Sequence, residues 1–315
     1  MKIERLEYLP LGMVQFSLVI EKSSLANRMA AMALEDAVAL CSTKSKADSK
    51  EDRWAQAINE CILSEFPPIF ESVIAKEHLI PVADPNFELL SEDLTQDLQL
   101  VALLQTLPPL TLNTYIGFCE TVVERIPREL QRALYINQNY GAQARANAGD
   151  EKAMEELHQK VEQELIVKNH PLAVQLAERK LVNQLGLQVT GDLPKDLLKD
   201  HYYKEKQRFS VQMQSQKLNF DVYLEQRGLS VEEFHAEMHQ ISEQKLRTEL
   251  GLLMVAEKEN LQPSTAQLQE AFDAWLATKP KEKTFEVNDR QKIYRKLCQE
   301  HAAAFVLAHS TLIGR

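Results

Sequence analysis

His235-x-x-x-His239 is the first constellation in the chain that could do chemistry. Its i, i+4 spacing puts two imidazoles on one helix face, as in a zinc site. The acid between them, Glu237, does not stand where a metalloprotease base would, and no third ligand accompanies the pair. Cys41, Cys61, Cys119 and Cys298 are far apart and make no C-x-x-C, so they read as reduced thiols. There is no G-x-G-x-x-G, Walker lysine loop, G-x-S-x-G or H-E-x-x-H. No catalytic set, no metal site and no cofactor is expected. The chemistry on offer is that of apolar helical surface.

That surface is clearest from Leu218 to Leu268. A short helix about Phe220–Gln226 should end at Gly228, the residue most tolerant of a left-handed C′ position. Ser230-x-x-Glu233 reads as a capping box opening a long helix. Along it Phe234, Met238, Ile241, Lys245 (by its stem), Leu246, Leu250, Leu253 and Met254 recur at helical steps. Pro263, followed by Ser264 and Thr265, starts another helix.

The 315 residues suffice for about two domains, and few glycines and aromatics against abundant Leu, Ala, Glu, Gln and Lys favour helix. A net charge of −10 argues against a general nucleic-acid binder, because phosphate contact needs a basic face. No apolar run approaches the ~20 residues of a membrane span. The start, MKIERLEYLPLGMV, has charges where a signal peptide would carry its apolar core. The expectation is a cytoplasmic protein without a membrane partner.

The elements follow in order. Met1–Ile20 alternates as two strands around Pro10-Leu11-Gly12, and Ser23 or Ser24 should cap a first helix. Thr43–Asp52 reads as a polar loop, with helices about Arg53–Leu63 and Pro68–Glu77 beyond it. Pro81 and Pro85 impose extended backbone, and Gln99–Leu107 is a further extended run. A helix about Pro127–Tyr140, a loop Gly141–Gly149 and a helix from Asp150 come next, interrupted at Asn169-His170-Pro171. Pro194–Lys217, the helix after Pro263 and a last helix, Asp289–Leu312, complete the chain, with Lys279–Lys283 as a solvated loop.

Asp221-Val222-Tyr223-Leu224, the glycine, the Ser-x-Glu-Glu start and the run into Leu250-Gly251-Leu252-Leu253 resemble the C-terminal domain of trigger factor, a bacterial chaperone family. Ala256, Glu259 and the Leu261–Ser264 break continue the likeness. The hairpin, helical pair and Ile80-Pro81 to Leu89 stretch resemble that family's N-terminal ribosome-binding domain, and LQLVALLQTLPPLTLNTYIGF its strand and linker leading out. Two departures stand out. The place of the family's Gly-Phe-Arg-x-Gly ribosome signature holds Lys44-Ser45-Lys46-Ala47-Asp48-Ser49-Lys50, and about thirty residues after Phe118 leave no room for an FKBP-type isomerase domain.

The resemblance implies an α+β chain: a small α/β N-terminal domain, 1–110, a joining segment, 111–149, and an elongated all-helical domain with arms, 150–315. It implies an ATP-independent chaperone, not an enzyme, that holds unfolded or nascent polypeptides in a helical cradle. The candidate client-binding side chains are Tyr202, Tyr203, Phe209, Met213, Met238, Met254, Phe272 and Trp275. For each one singly, packing between helices is the commoner role. Lys44, Lys46 and Lys50 are the candidate contacts to the ribosome, though a mixed-charge loop is usually just solvated. The rival reading is a helical scaffold or assembly factor that binds one folded partner or forms a homodimer.

Overall fold

The computed structural model describes residues 1–40, 50–90, 96–124, 126–278 and 289–314. In chain order the elements are β1 (Lys2–Leu9), β2 (Met13–Ile20), α1 (Lys22–Leu40), α2 (Lys50–Glu77), β3 (Asn86–Leu89), β4 (Leu98–Gln105), β5 (Thr111–Leu112) and β6 (Cys119–Thr121). Then come α3 (Glu129–Asn139), α4 (Gly141–Ala146), α5 (Glu151–Gln188), β7 (Val189–Thr190), α6 (Lys195–Ser215) and α7 (Phe220–Arg227). Last are α8 (Val231–Lys258), α9 (Thr265–Thr278), α10 (Asp289–Ala308) and β8 (Thr311–Ile313). The fold is α+β, a small N-terminal sheet followed by a long helical part.

The chain forms two compact units, neither of them continuous. Unit 1 is Met1–Asn113 with Val189–Ala302; unit 2 is Thr114–Gln188 with Ala303–Arg315. Helices α6 to α9, with α10 as far as Ala302, cluster with the N-terminal segment through contacts distant in sequence.

In unit 1 an antiparallel sheet runs β1-β2-β4-β3, with Phe16 opposite Ala102 and Phe87 opposite the same residue on the other side. Alternation on β2 is strict: Val14, Phe16, Leu18 and Ile20 are buried and their neighbours are not. The β1–β2 turn passes through Leu11 (φ 58) and Gly12 (φ 76). A Cβ on Gly12 would meet the Leu107 carbonyl oxygen at 2.8 Å, so only glycine fits there. Helix α1 starts two or three residues earlier than the serines suggest. The Lys22 N–H donates to Asp97 Oδ1 at 2.9 Å, so the cap comes from across the chain.

Two expected breaks are absent. Helix α2 runs unbroken through Pro67 and Pro68, and α5 through Pro171. An interior proline costs about 3 kcal/mol. In α2, Ala57, Cys61, Phe66 and Phe70 form one buried stripe on the sheet across the prolines, with Phe66 and Phe70 stacked at 5.0 Å. The carbonyls deprived of donors belong to Leu63 and Ser64, both exposed, so water can satisfy them. In α5 the deprived carbonyl is that of Val167, also exposed. Leu157, Val161 and Leu165 hold α5 before the proline, and Ala173 and Ala177 hold it after. Burial on both sides outweighs the local penalty.

Smaller corrections follow the same logic. Gly141–Gly149 contains a helical turn, α4, rather than only loop. The last helix ends at Ala308, and Thr311–Ile313 then pairs in parallel with β6 in unit 2.

Candidate functional site

Helices α6 and α8 of unit 1 pack side by side, with α7 closing their far end. Each boundary is written locally. Asn219 Oδ1 accepts from the Asp221 N–H at 2.8 Å to start α7, and Gly228 ends it in the left-handed region at φ 64. Ser230 Oγ accepts from the Glu233 N–H at 3.2 Å while Glu233 Oε2 accepts from the Ser230 N–H at 2.8 Å, the expected capping box. Ser264 and Gln267 do the same for α9.

Inside this hairpin Tyr202, Leu224, Phe234 and Met238 are buried, with Phe209, Phe220, Tyr223 and Leu229 packed around them. Phe209 and Phe220 lie 5.0 and 5.1 Å from Phe234, inside the range for favourable ring pairs. Tyr202 stacks on His239, and its hydroxyl lies 2.7 Å from His235 Nδ1. Both histidines of the i, i+4 pair are thus taken up by a tyrosine. Among the described residues no group of three or more His, Cys, Asp or Glu comes together.

One level further along, Glu205 is buried between α6 and α8 and pairs with Lys245 and Arg208. Burial pushes its carboxyl up, but the hydrogen bonds and charges of Lys245 and Arg208 win and hold it below the ordinary glutamate value. Lys245 therefore belongs to the seam through its ammonium as well as its stem.

The eight expected client-binding residues fall into distinct settings. Tyr202, Phe209 and Met238 meet in the hairpin core, Met213 is buried further along α6, and Tyr203 is exposed. Met254 is half-buried on α8. Phe272 and Trp275 stack at 5.7 Å on α9, with the Arg290 guanidinium 5.8 Å from the Phe272 ring centre. Around the hairpin core Val211, Leu218, Val222 and Val231 stay exposed, an apolar rim on an apolar centre. Ile74, Leu79, Leu253, Leu268 and Tyr294 line a groove of about 850 Å³ among α2, α8, α9 and α10. Lys44 and Lys46 lie outside the described residues, as does the side chain of Lys50, which opens α2.

Unit 2 holds the surface that sequence reading missed. Helix α3 joins α5 through Ile136 against Leu157, Val161 and Leu165, through Arg132 to Glu162 at 2.6 Å, and through the Tyr140 hydroxyl, which donates to Glu164 at 2.6 Å. The hydrogen bond to that carboxylate, with burial, pushes the Tyr140 phenol up to about 12. On its other face α3 shows Leu130 and Leu134, 71% and 52% exposed, and Ile126 just before the helix is 75% exposed. Val123, Val167 and Leu187 are exposed as well. A signal existed: α3 carries apolar residues on two faces, and adjacent Ile166 and Val167 cannot both reach one core. Acidic and basic residues of unit 2 balance at ten each, so the whole net charge of −10 falls on unit 1.

Among the described residues no helix is long and apolar enough to cross a membrane. No curated protein is found to match the chain. The solved structure "Promiscuous Substrate Recognition in Folding and Assembly Activities of the Trigger Factor Chaperone" aligns over 98% of this chain and 99% of its own. It does so at 10% identity and a TM-score of 0.42. Residues 153–304 match the family described as bacterial trigger factor protein (TF) C-terminus. Over that stretch, just under half its length, the chain is similar to the trigger factor C-terminus.

Proposed function

We propose that this chain is an ATP-independent chaperone that holds unfolded polypeptides by burying their apolar side chains against its own. The observation that carries the reading is the exposed apolar set of unit 2, headed by Ile126, Leu130 and Leu134, on a body without net charge. Large exposed apolar residues on a folded surface mark a binding site, and a neutral one repels neither acidic nor basic clients. Each apolar square ångström removed from water contributes about 25 cal/mol, so many weak contacts add up without a fixed sequence. On the α6–α8 hairpin, Tyr203 and Phe209 with the exposed valines form a second contact surface, and Met254, Phe272 and Trp275 a third. Tyr202, Met213 and Met238 shape these surfaces from beneath.

The family match over residues 153–304 supports the reading. The test is suppression of aggregation for several unrelated chemically unfolded proteins without nucleotide. Suppression of most of them at near-stoichiometric ratios is expected. Indifference to all but one partner would mean a dedicated assembly factor instead. The reading includes a ribosome contact only through Lys44, Lys46 and Lys50, tested by co-sedimentation across a salt series with all three changed to Glu.

A further inference from the structure

We propose that the cavity among Val82–Asp84, α6, α8 and α10 in unit 1 binds a small oxyanion, a phosphate or carboxylate group, anchored by Arg295. The cavity measures about 390 Å³, within the ~300–1,000 Å³ of small-molecule sites. It is lined by four cations, Lys204, Lys292, Arg295 and Lys296, and three acids, Asp84, Asp200 and Glu249. Two of the acids are already engaged. Asp84 Oδ2 lies 2.9 Å from Lys292 Nζ, and Glu249 Oε1 lies 3.4 Å from His201 Nε2.

Arg295 is the unusual member. Its side chain is only 16% exposed, yet the nearest acid, Asp84, is 3.6 Å away, beyond hydrogen-bond distance. A guanidinium has five N–H donors, and this one makes no hydrogen bond among the described residues. Its nitrogens are not among the buried polar atoms that lack a partner, so its free donors open to the cavity, and burial's downward pull on its pKa, against the opposing pull of Asp84 and Glu249, marks a charge only partly compensated by protein groups. An oxyanion in the cavity would accept two of those donors side by side, the geometry guanidinium favours. Lys204 has no ion pair among the described residues, and Lys296 has only a 3.6 Å contact with exposed Glu300. Both line the same cavity, as does the acid Asp200 one turn before Lys204 on α6.

The experiment is calorimetric titration of the whole chain with inorganic phosphate and, separately, with citrate, each against sodium chloride at matched ionic strength. Saturable binding of either anion is expected, and which of the two binds assigns the group. Lys204→Gln with Lys296→Gln should weaken it about tenfold with an unchanged circular dichroism spectrum, and Arg295→Met should abolish it. If Arg295→Met does not fold, the lysine pair still decides. Absence of saturable binding for both anions, or equal affinity in the lysine double variant, overturns the proposal.

Discussion

The Tyr202 ring lies flat on the His239 imidazole, centroids 3.9 Å apart and 6° from parallel, with its hydroxyl 2.7 Å from His235 Nδ1. One α6 side chain thus ties two turns of α8 to the hairpin core. Tyr202→Phe should cost about 1 kcal/mol through the lost hydrogen bond, and Tyr202→Ala about 3–5 kcal/mol through the cavity left behind. Urea unfolding of the two variants checks both. Equal losses would mean that the hydroxyl, not the ring, holds the seam.

Glu205 gives the seam a pH dependence. Its folded pKa is depressed, because Lys245 and Arg208 outweigh burial. Its contribution to stability is therefore complete above the unfolded value near 4.5 and is lost as pH falls through the folded one. Glu205→Gln should destabilise by about 1–3 kcal/mol at pH 7. Thermal melts from pH 7 to 3 should show the gap to wild type closing below pH about 4.5. A gap that stays constant would show that the carboxylate charge is not what matters.

Ser230→Ala removes the hydroxyl half of the α8 capping box and should cost about 1 kcal/mol. Ser230→Gly should cost only a few tenths, a difference visible in denaturant midpoints.

Pro171→Ala should stabilise the chain. It restores a donor for the Val167 carbonyl inside a helix that stays continuous anyway. The gain is reduced by about 0.4–1 kcal/mol of unfolded-chain entropy. A raised melting temperature is expected. A lowered one would mean that the proline imposes a bend α5 needs.

The sequence displayed whatever local chemistry decides. Alternation on β2, the Gly228 stop and the Ser230–Glu233 box are each settled within a few residues, and each is found in place. The prolines of α2 and α5 misled because their penalty is local while the burial overriding it comes from Phe66, Phe70, Leu157 and Ala177, seated on partners distant in sequence. Strand β8 is three residues long, too short for periodicity to register. Grouping α6 to α9, and α10 as far as Ala302, with the N-terminal sheet is equally non-local. The candidate surfaces were legible only by type: an apolar stripe announces burial, but Met238 is buried inside its own hairpin while Leu130 is open to water. Pattern alone does not separate the two.

The most direct test is a titration of a fluorescently labelled, permanently unfolded polypeptide, read by anisotropy, against wild type and a variant carrying Ile126→Ser, Leu130→Ser and Leu134→Ser. These side chains are exposed, so the variant should fold and melt as wild type does. The account predicts saturable binding by wild type without nucleotide and binding at least about tenfold weaker by the variant, since three exposed apolar contacts are lost. Absence of binding by wild type would contradict the chaperone reading itself. Equal affinity in the variant would contradict the placement of the client on unit 2.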